Sequence, residues 1–138
     1  MSNNKRVATK HIRDGIKSNY CKDTKCAICA TEEQLELHHY TTVSLLLQTY
    51  ARENGIAIDT DEEVLAMRES FYEVHWKELV TDTVTLCNIH HKVLHKIYGK
   101  APLLHTASKQ PLWVVKQREK FLQPKDKKIK KFKWTSLI

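Results

Sequence analysis

Histidine is concentrated in two short segments of this 138-residue chain, one of which begins with a cysteine. Residues 87–95 read CNIHHKVLH and residues 35–40 read LELHHY, and together they hold five of the eight histidines. Imidazole nitrogens and thiolate sulfurs are the protein ligands that zinc and similar transition metals prefer. The two segments therefore predict metal binding.

Two pairs of residues with the same spacing predict a structural zinc site. Cys26 and Cys29 form C-x-x-C, and Cys87 and His90 form C-x-x-H. Four protein ligands of this kind saturate a tetrahedral Zn²⁺ and leave no position for a substrate. Cys21 is a substitute ligand with poorer spacing, and the alternative to zinc binding is that these residues are buried without a metal.

A second metal site is predicted by His91 and His95. Four residues apart on a helix, they share one face with about 5–6 Å between their Cβ atoms, whereas His90 is rotated off that face. Two histidines leave an ion unsaturated, and the segment LELHHY is the expected source of a third ligand. On a strand His38 and His39 point to opposite faces, so one could bind the ion while the other stands beside it.

The elements that must position these residues are mostly helical, because only three glycines and three prolines interrupt the chain. The spacing of apolar residues predicts helices over 5–18, 42–53, 59–80, 88–98 and 111–122, and strands over 35–40 and 81–86. The third helix should have its N-cap within 59–61. His75, on the apolar side of that helix, is expected to pack there rather than to bind a metal. The expected fold class is α+β, mostly helical.

The net charge of +7 is unevenly distributed. Residues 51–80 contain eight acidic and three basic residues, whereas KDKKIKKFK (125–133) contains six lysines and one aspartate. This distribution favours a polyanionic partner that meets the ends of the chain, with the acidic segment facing away from it or contacting another protein. The alternative is a solvated tail whose lysines only increase solubility.

The chain has no apolar run of the ~18 residues that a membrane span needs. Its first residues, MSNNKRVATK, lack the apolar stretch of a signal peptide. We therefore expect a cytoplasmic protein without membrane contact, in which cysteines bind metal rather than form disulfides.

The order C-x-x-C, LELHHY and TDTVTLCNIHHKVLH resembles the HNH (His-Asn-His, ββα-metal) endonucleases, in their zinc-knuckle, His-rich branch. The core of the resemblance covers residues 26–40 and 82–95, with a long insertion between them. It implies a single nuclease domain over 1–124, with a ββα-metal core at 21–40 and 81–99, a helical insertion at 41–80 and flanking helices. Residues 125–138 would be a basic C-terminal tail.

The resemblance implies roles for the histidines of both segments. His38, His91 and His95 would bind the catalytic divalent ion, which neutral nitrogen ligands allow to be Mg²⁺, Mn²⁺, Ni²⁺, Co²⁺ or Zn²⁺. His39 would be the general base that activates water. At its ordinary pKa of ~6.5, this residue would accept a proton near neutral pH.

Two positions depart from the family pattern. His90 stands where the family usually has the fourth zinc cysteine, and this change preserves a zinc ligand. Asp82 stands at the position of the family asparagine, and an ionised aspartate only accepts hydrogen bonds. Asp82 could therefore bind a backbone N–H or approach the metal.

The expected activity is hydrolysis of DNA phosphodiester bonds, which by the resemblance leaves 5′-phosphate and 3′-hydroxyl ends. Six lysines are the expected phosphate contacts: Lys92, Lys96, Lys127, Lys128, Lys130 and Lys131. Lys92 and Lys96 could equally be solvated helix residues. The alternatives are a non-catalytic DNA-binding module stapled by zinc and a nuclease that prefers RNA or branched DNA. A monomer and a homodimer are both compatible with the sequence.

Overall fold

A computed structural model describes residues 2–123 of the chain, with side chains from residue 7 onward. The α-helices and β-strands of this range are α1 (Ser2–Asp14), β1 (Leu35–His39), α2 (Val43–Glu53), α3 (Asp61–Trp76), β2 (Thr83–Cys87), α4 (Asn88–Tyr98) and α5 (Lys109–Leu122). The predicted fold class, α+β and mostly helical, is confirmed. None of the helices in this range combines the length and the apolar character that crossing a membrane would require.

The two strands pair antiparallel, although residues 40–82 separate them in sequence. Leu35 lies opposite Cys87, and His38 lies opposite Val84. Helix α4 follows β2 without a loop, because Cys87 ends the strand and is also the N-cap of the helix. A ββα unit therefore forms around a helical insertion, and it brings LELHH beside the start of CNIHHKVLH.

Buried apolar side chains form two clusters. The first cluster joins α1, α2 and α3 with the π-helical turn Lys77–Thr81, and its largest fully buried members are Ile12, Ile16, Leu47, Phe71 and Leu79. The second cluster joins the C-x-x-C loop, β2, α4 and α5 through Cys26, Ile28, Leu86, Cys87, Leu94 and Val114. The first cluster is the core between the N-terminal segment and the helical insertion, and the second packs around the ββα unit.

Helix α1 ends before Gly15, earlier than the predicted helix over 5–18. Its last carbonyl groups are capped from α3, because Arg68 Nη1 donates to His11 O at 3.1 Å and Tyr72 Oη donates to Ile12 O at 2.6 Å. A Cβ atom at Gly15 would overlap Tyr72 Oη. Glycine thus permits the close contact that ends the helix.

Helix α3 begins with a capping box, in which Thr60 accepts from the backbone N–H of Glu63 and the Glu63 carboxylate accepts from the backbone N–H of Thr60. The segment predicted as one helix over 59–80 is helical, but it divides into α3 and a π-helical turn at Lys77–Thr81, with a break in the backbone at His75 (φ −117°, ψ 27°). His75 bonds Glu78 across the break at 2.5 Å and packs against aromatic rings of α2 and α3. Among the described residues it joins no metal-binding group.

Candidate metal centres

The structure brings Cys26, Cys29, Cys87 and His90 together, with their ligand atoms within 4.8 Å of one another. Cys29 Sγ and Cys87 Sγ are 3.8 Å apart, and His90 Nδ1 lies 3.3 Å from Cys87 Sγ and 3.9 Å from Cys26 Sγ. A tetrahedral Zn²⁺ with bonds of ~2.3 Å to sulfur and ~2.05 Å to nitrogen would separate its ligands by about 3.8 Å (S–S) and about 3.6 Å (S–N). The four residues therefore fit one tetrahedral ion.

Backbone hydrogen bonds fix the C-x-x-C loop on the sheet. Cys26 N donates to Thr31 O at 2.9 Å, and Ala30 N, at a φ of 60°, donates to Cys26 O at 3.0 Å. Ala27 N donates to Thr85 O of β2 at 2.9 Å. The loop is therefore attached to the strand that ends at Cys87.

Backbone N–H groups also point at the sulfur atoms of this group. Ile28 N lies 3.4 Å from Cys26 Sγ, and His90 N lies 3.4 Å from Cys87 Sγ. Burial acts to raise the pKa of the Cys26 thiol, but N–H bonds from its neighbours more than offset this, so its pKa lies below the ordinary value. Such bonds favour the thiolate, which is the form that binds metal. Cys21, the substitute ligand, is exposed and lies outside the group.

A second group consists of His38, His91 and His95. His91 Nε2 lies 3.1 Å from His38 Nδ1 and 3.0 Å from His95 Nε2. Two nitrogen ligands at right angles around an ion bound at ~2.1 Å would be about 3.0 Å apart. The observed separations fit one ion that keeps other positions open.

The outer nitrogen of each of these rings faces an oxygen atom. The pairs are His38 Nε2 with Gln110 Oε1 (2.7 Å), His91 Nδ1 with Glu36 Oε1 (2.8 Å) and His95 Nδ1 with Gly99 O (2.8 Å). Because an amide, carboxylate or carbonyl oxygen only accepts, each outer nitrogen carries the proton. In neutral rings the inner nitrogens then carry lone pairs that point at one another. These lone pairs repel one another unless a cation lies between them.

His38 is the most buried of the three, with 3% of its surface exposed. Burial lowers its pKa to about 4 and outweighs the opposite effect of the Gln110 hydrogen bond. The ring is therefore neutral at pH 7, as a metal ligand must be. Gln110 is itself fully buried, and its amide donates to Tyr40 O at 3.1 Å and to Thr106 Oγ1 at 3.0 Å. These two acceptors fix which end of the amide faces His38.

His39 is not part of this group. Its Nε2–H donates to Leu79 O at 2.8 Å, and the edge of its ring contacts Tyr20 at a centroid distance of 4.9 Å. Burial lowers its pKa below the ordinary value, and the nearby positive charge of Arg13 acts in the same direction. With Nε2 protonated, the lone pair of this ring is on Nδ1.

The carboxylate of Asp82 forms an ion pair with Lys77 Nζ at 2.7 Å, and its backbone carbonyl accepts from Tyr40 N at 3.3 Å. Asp82 lies outside both metal-binding groups found among the described residues. Lys92 and Lys96 are exposed on α4. The predicted contacts Lys127, Lys128, Lys130 and Lys131 lie outside the described residues.

The three histidines of the second group line a small pocket together with His39. Its volume is about 140 Å³, well above the ~10–15 Å³ that one water molecule needs in the same measure. Arg13 and Lys100 also line it, and neither was among the predicted site residues.

The oxygen partners of the histidines were not predicted from the sequence either. Glu36 could have been found, because residues two apart on a strand share a face and Glu36 precedes His38 by two. Gln110 lies 72 residues from His38 in sequence. No spacing rule connects the two residues.

The chain matches a known protein family over most of its length. The sequence model of the phage T5 nicking endonuclease family matches residues 1–133 of the chain. The matched range includes both candidate metal-binding groups and the helical insertion. No solved structure matches the chain.

Proposed function

The chain belongs to the phage T5 nicking endonuclease family, and we propose that it nicks DNA as an HNH endonuclease of the zinc-knuckle, His-rich kind. In this proposal His38, His91 and His95 bind one divalent ion, which is Mg²⁺, Mn²⁺, Ni²⁺, Co²⁺ or Zn²⁺, and His39 is the general base. One such site cuts one strand, which agrees with the family description.

The observation that carries the proposal is the convergence of three inward ring nitrogens beside a fourth histidine, which lines the same pocket and does not belong to the group. A divalent ion bound there would stabilise the negative charge that develops on the phosphate and on the leaving oxygen. A structural metal site would need a fourth protein ligand, and the described residues supply only three at this position.

His39 takes the proton of the attacking water on Nδ1. The Leu79 carbonyl holds the opposite nitrogen of the ring and thereby fixes both the tautomer and the ring orientation. Burial and the charge of Arg13 keep the ring neutral at pH 7, so the base is ready without prior loss of a proton. The new charge on the imidazolium passes to solvent when the ring releases the proton.

The remaining residues support this site. Cys26, Cys29, Cys87 and His90 bind a structural Zn²⁺, which crosslinks the C-x-x-C loop to the start of α4. Asp82 holds the end of the strand pair through its backbone carbonyl, which accepts from Tyr40 N. The family asparagine would do so through its side chain. Residues 1–124 form one domain, with its core at 21–40 and 81–99, and the basic tail at 125–138 adds phosphate contacts.

A plasmid assay tests the proposal. Purified protein with Mg²⁺ or Mn²⁺ should convert supercoiled plasmid to the open circle, with linear DNA formed later or not at all. His39→Ala should abolish the conversion, whereas His105→Ala should not, because His105 is exposed and lies outside both metal-binding groups. DNA binding without cutting by the unaltered protein would favour the zinc-stapled binding module. Cutting of RNA or branched DNA alone would favour the other alternative.

A further inference from the structure

The histidine pocket opens into a larger cleft between α1 and the N-terminal end of α2. Arg13, Thr42 and Lys100 line both cavities, and Lys10 and Ser44 extend the lining of the larger one. We call this cavity, about 660 Å³ in volume, the α1–α2 cleft. It is several times larger than the histidine pocket, whose volume is about 140 Å³.

The α1–α2 cleft is positively charged. Lys10, Arg13 and Lys100 are exposed, and within residues 7–123 no carboxylate forms an ion pair with them. The acidic residue in the lining, Asp14, pairs with Lys17 at 3.6 Å. Three cations thus remain for an anion that enters the cleft, at the entrance to the histidine pocket.

The N-terminal end of α2 adds to this positive potential. Thr42, the N-cap residue, donates its hydroxyl to Pro102 O at 2.5 Å, and no side chain of the described residues caps the first turn. That turn contains no acidic residue. Its N–H groups, with the partial positive charge of the helix end, are therefore left for solvent or for an anionic oxygen.

We propose that the α1–α2 cleft binds the phosphate backbone of the DNA strand next to the bond that is cut. This inference rests on the proposed nuclease function and deepens it, because it identifies the surface that guides the substrate. Lys92 and Lys96, predicted from the sequence, line neither the cleft nor the pocket. The strand therefore reaches the histidines along α1 and α2, and Arg13 and Lys100 contact the phosphates nearest to the site.

The salt dependence of DNA binding tests this path. Binding of a labelled DNA duplex is measured without added divalent ion over a series of salt concentrations, for Arg13→Gln/Lys100→Gln and for the unaltered protein. The logarithm of the binding constant falls as the logarithm of the salt concentration rises, and each cation that binds a phosphate adds ~0.9 to the steepness of this fall. The steepness should therefore be smaller by about 1.8 for the double variant. Affinity should fall roughly tenfold for each of the two cations at ~0.1 M salt.

The control Lys116→Gln/Lys120→Gln removes the same charge from exposed positions on α5. It should keep most of the affinity and of the slope. An unchanged slope for the cleft variant, or an equal decrease for the α5 variant, would overturn the inference. Plasmid nicking by the unaltered protein is measured in parallel, and its absence would count against the nuclease function. If the unaltered protein nicks the plasmid and the cleft variant binds DNA as the unaltered protein does, only the role of the cleft is contradicted.

Discussion

Gln110 controls which nitrogen of His38 faces the candidate metal. Its amide N–H groups are committed to Tyr40 O and Thr106 Oγ1, so its oxygen must face His38 Nε2. That oxygen keeps the proton on Nε2 and the lone pair on Nδ1. Such partners of metal-binding histidines typically change metal affinity by 10–100-fold.

We therefore expect Gln110→Leu to weaken binding of Ni²⁺ or Co²⁺ at the histidine group by about 10–100-fold. Gln110→Glu retains an oxygen for His38 and should recover part of the affinity. Gln117→Leu, on the same helix and without such a contact, is the control. Isothermal titration calorimetry gives the affinities, and nitrogen NMR of His38 reports the tautomer without any metal. Equal affinities for Gln110→Leu and Gln117→Leu would contradict the role.

The pH dependence of nicking follows from the surroundings of His39. In its proposed role as the base His39 must be neutral, and burial, supported by Arg13, places its pKa below the ordinary value of ~6.5. Activity should therefore rise with pH, reach half its maximum below pH ~6.5 and be level near pH 7. A bound divalent ion acts in the same direction.

Arg13→Gln removes one positive charge beside the ring and should move the midpoint of this profile upward. The measurement is the nicking rate at saturating divalent ion across the acidic range. A midpoint above the ordinary histidine pKa, or a flat profile, would be incompatible with His39 as the base.

At the level of elements, α1 and α3 meet through a contact that only glycine allows. A Cβ atom at Gly15 would overlap Tyr72 Oη and would lie 2.8 Å from Arg68 Nη1. We expect Gly15→Ala to reduce the free energy of unfolding by about 1–3 kcal/mol, the usual cost of an overpacked contact. Tyr72→Phe removes the obstructing oxygen, so the same glycine substitution should cost less in that background. Denaturant unfolding of the four proteins of this cycle measures the difference.

The sequence predicted the elements more accurately than their ends. The predicted positions of β1, α2, β2 and α4 agree with the structure to within two residues, because alternation, apolar spacing and the stops at Gly55 and Gly99 are local signals. The ends of α1 and α3 were wrong because they depend on contacts across the fold. Two donors from α3 cap α1, and the bond from His75 to Glu78 spans the break in α3.

The same distinction holds for the candidate site. Spacing within a helix separated His90 from His91 and His95, and the structure groups these residues in that way. Gln110, Arg13 and Lys100 reach the site from elements that sequence spacing does not relate to it. A residue is predictable from sequence where its partner lies within a turn or a strand pair, as Gly99 and Glu36 do, whereas Gln110 lies in neither relation to His38.

On the scale of the whole molecule, the cysteine and histidine group links distant parts of the chain. Cys29 and Cys87 are 58 residues apart in sequence, and the helical insertion lies between them. The second hydrophobic cluster contains two of the ligands, Cys26 and Cys87, whereas the first cluster contains none of the four. Removal of the zinc proposed for this group should therefore affect the second cluster first.

Structural zinc contributes on the order of 10 kcal/mol to the folding of small zinc domains. We expect Cys29→Ser to abolish zinc binding and to loosen the second cluster, while helices of the first cluster persist. Cys21→Ser, at an exposed cysteine outside the group, should keep one zinc per chain and the native stability. Metal analysis gives the zinc content, and far-ultraviolet circular dichroism gives the remaining helix.

Trp113, which packs against the second cluster, reports on that part of the molecule when Trp76 and Trp134 are replaced by phenylalanine. In the Cys29→Ser background its fluorescence should shift toward that of a solvated indole at a temperature where most of the helical signal remains. The fluorescence change and the loss of the helical signal would then occur at different temperatures, because a crosslink within one cluster directly stabilises only that cluster. Coincident disappearance of both signals would show instead that the two clusters fold as one cooperative unit, with the zinc supporting the insertion as well.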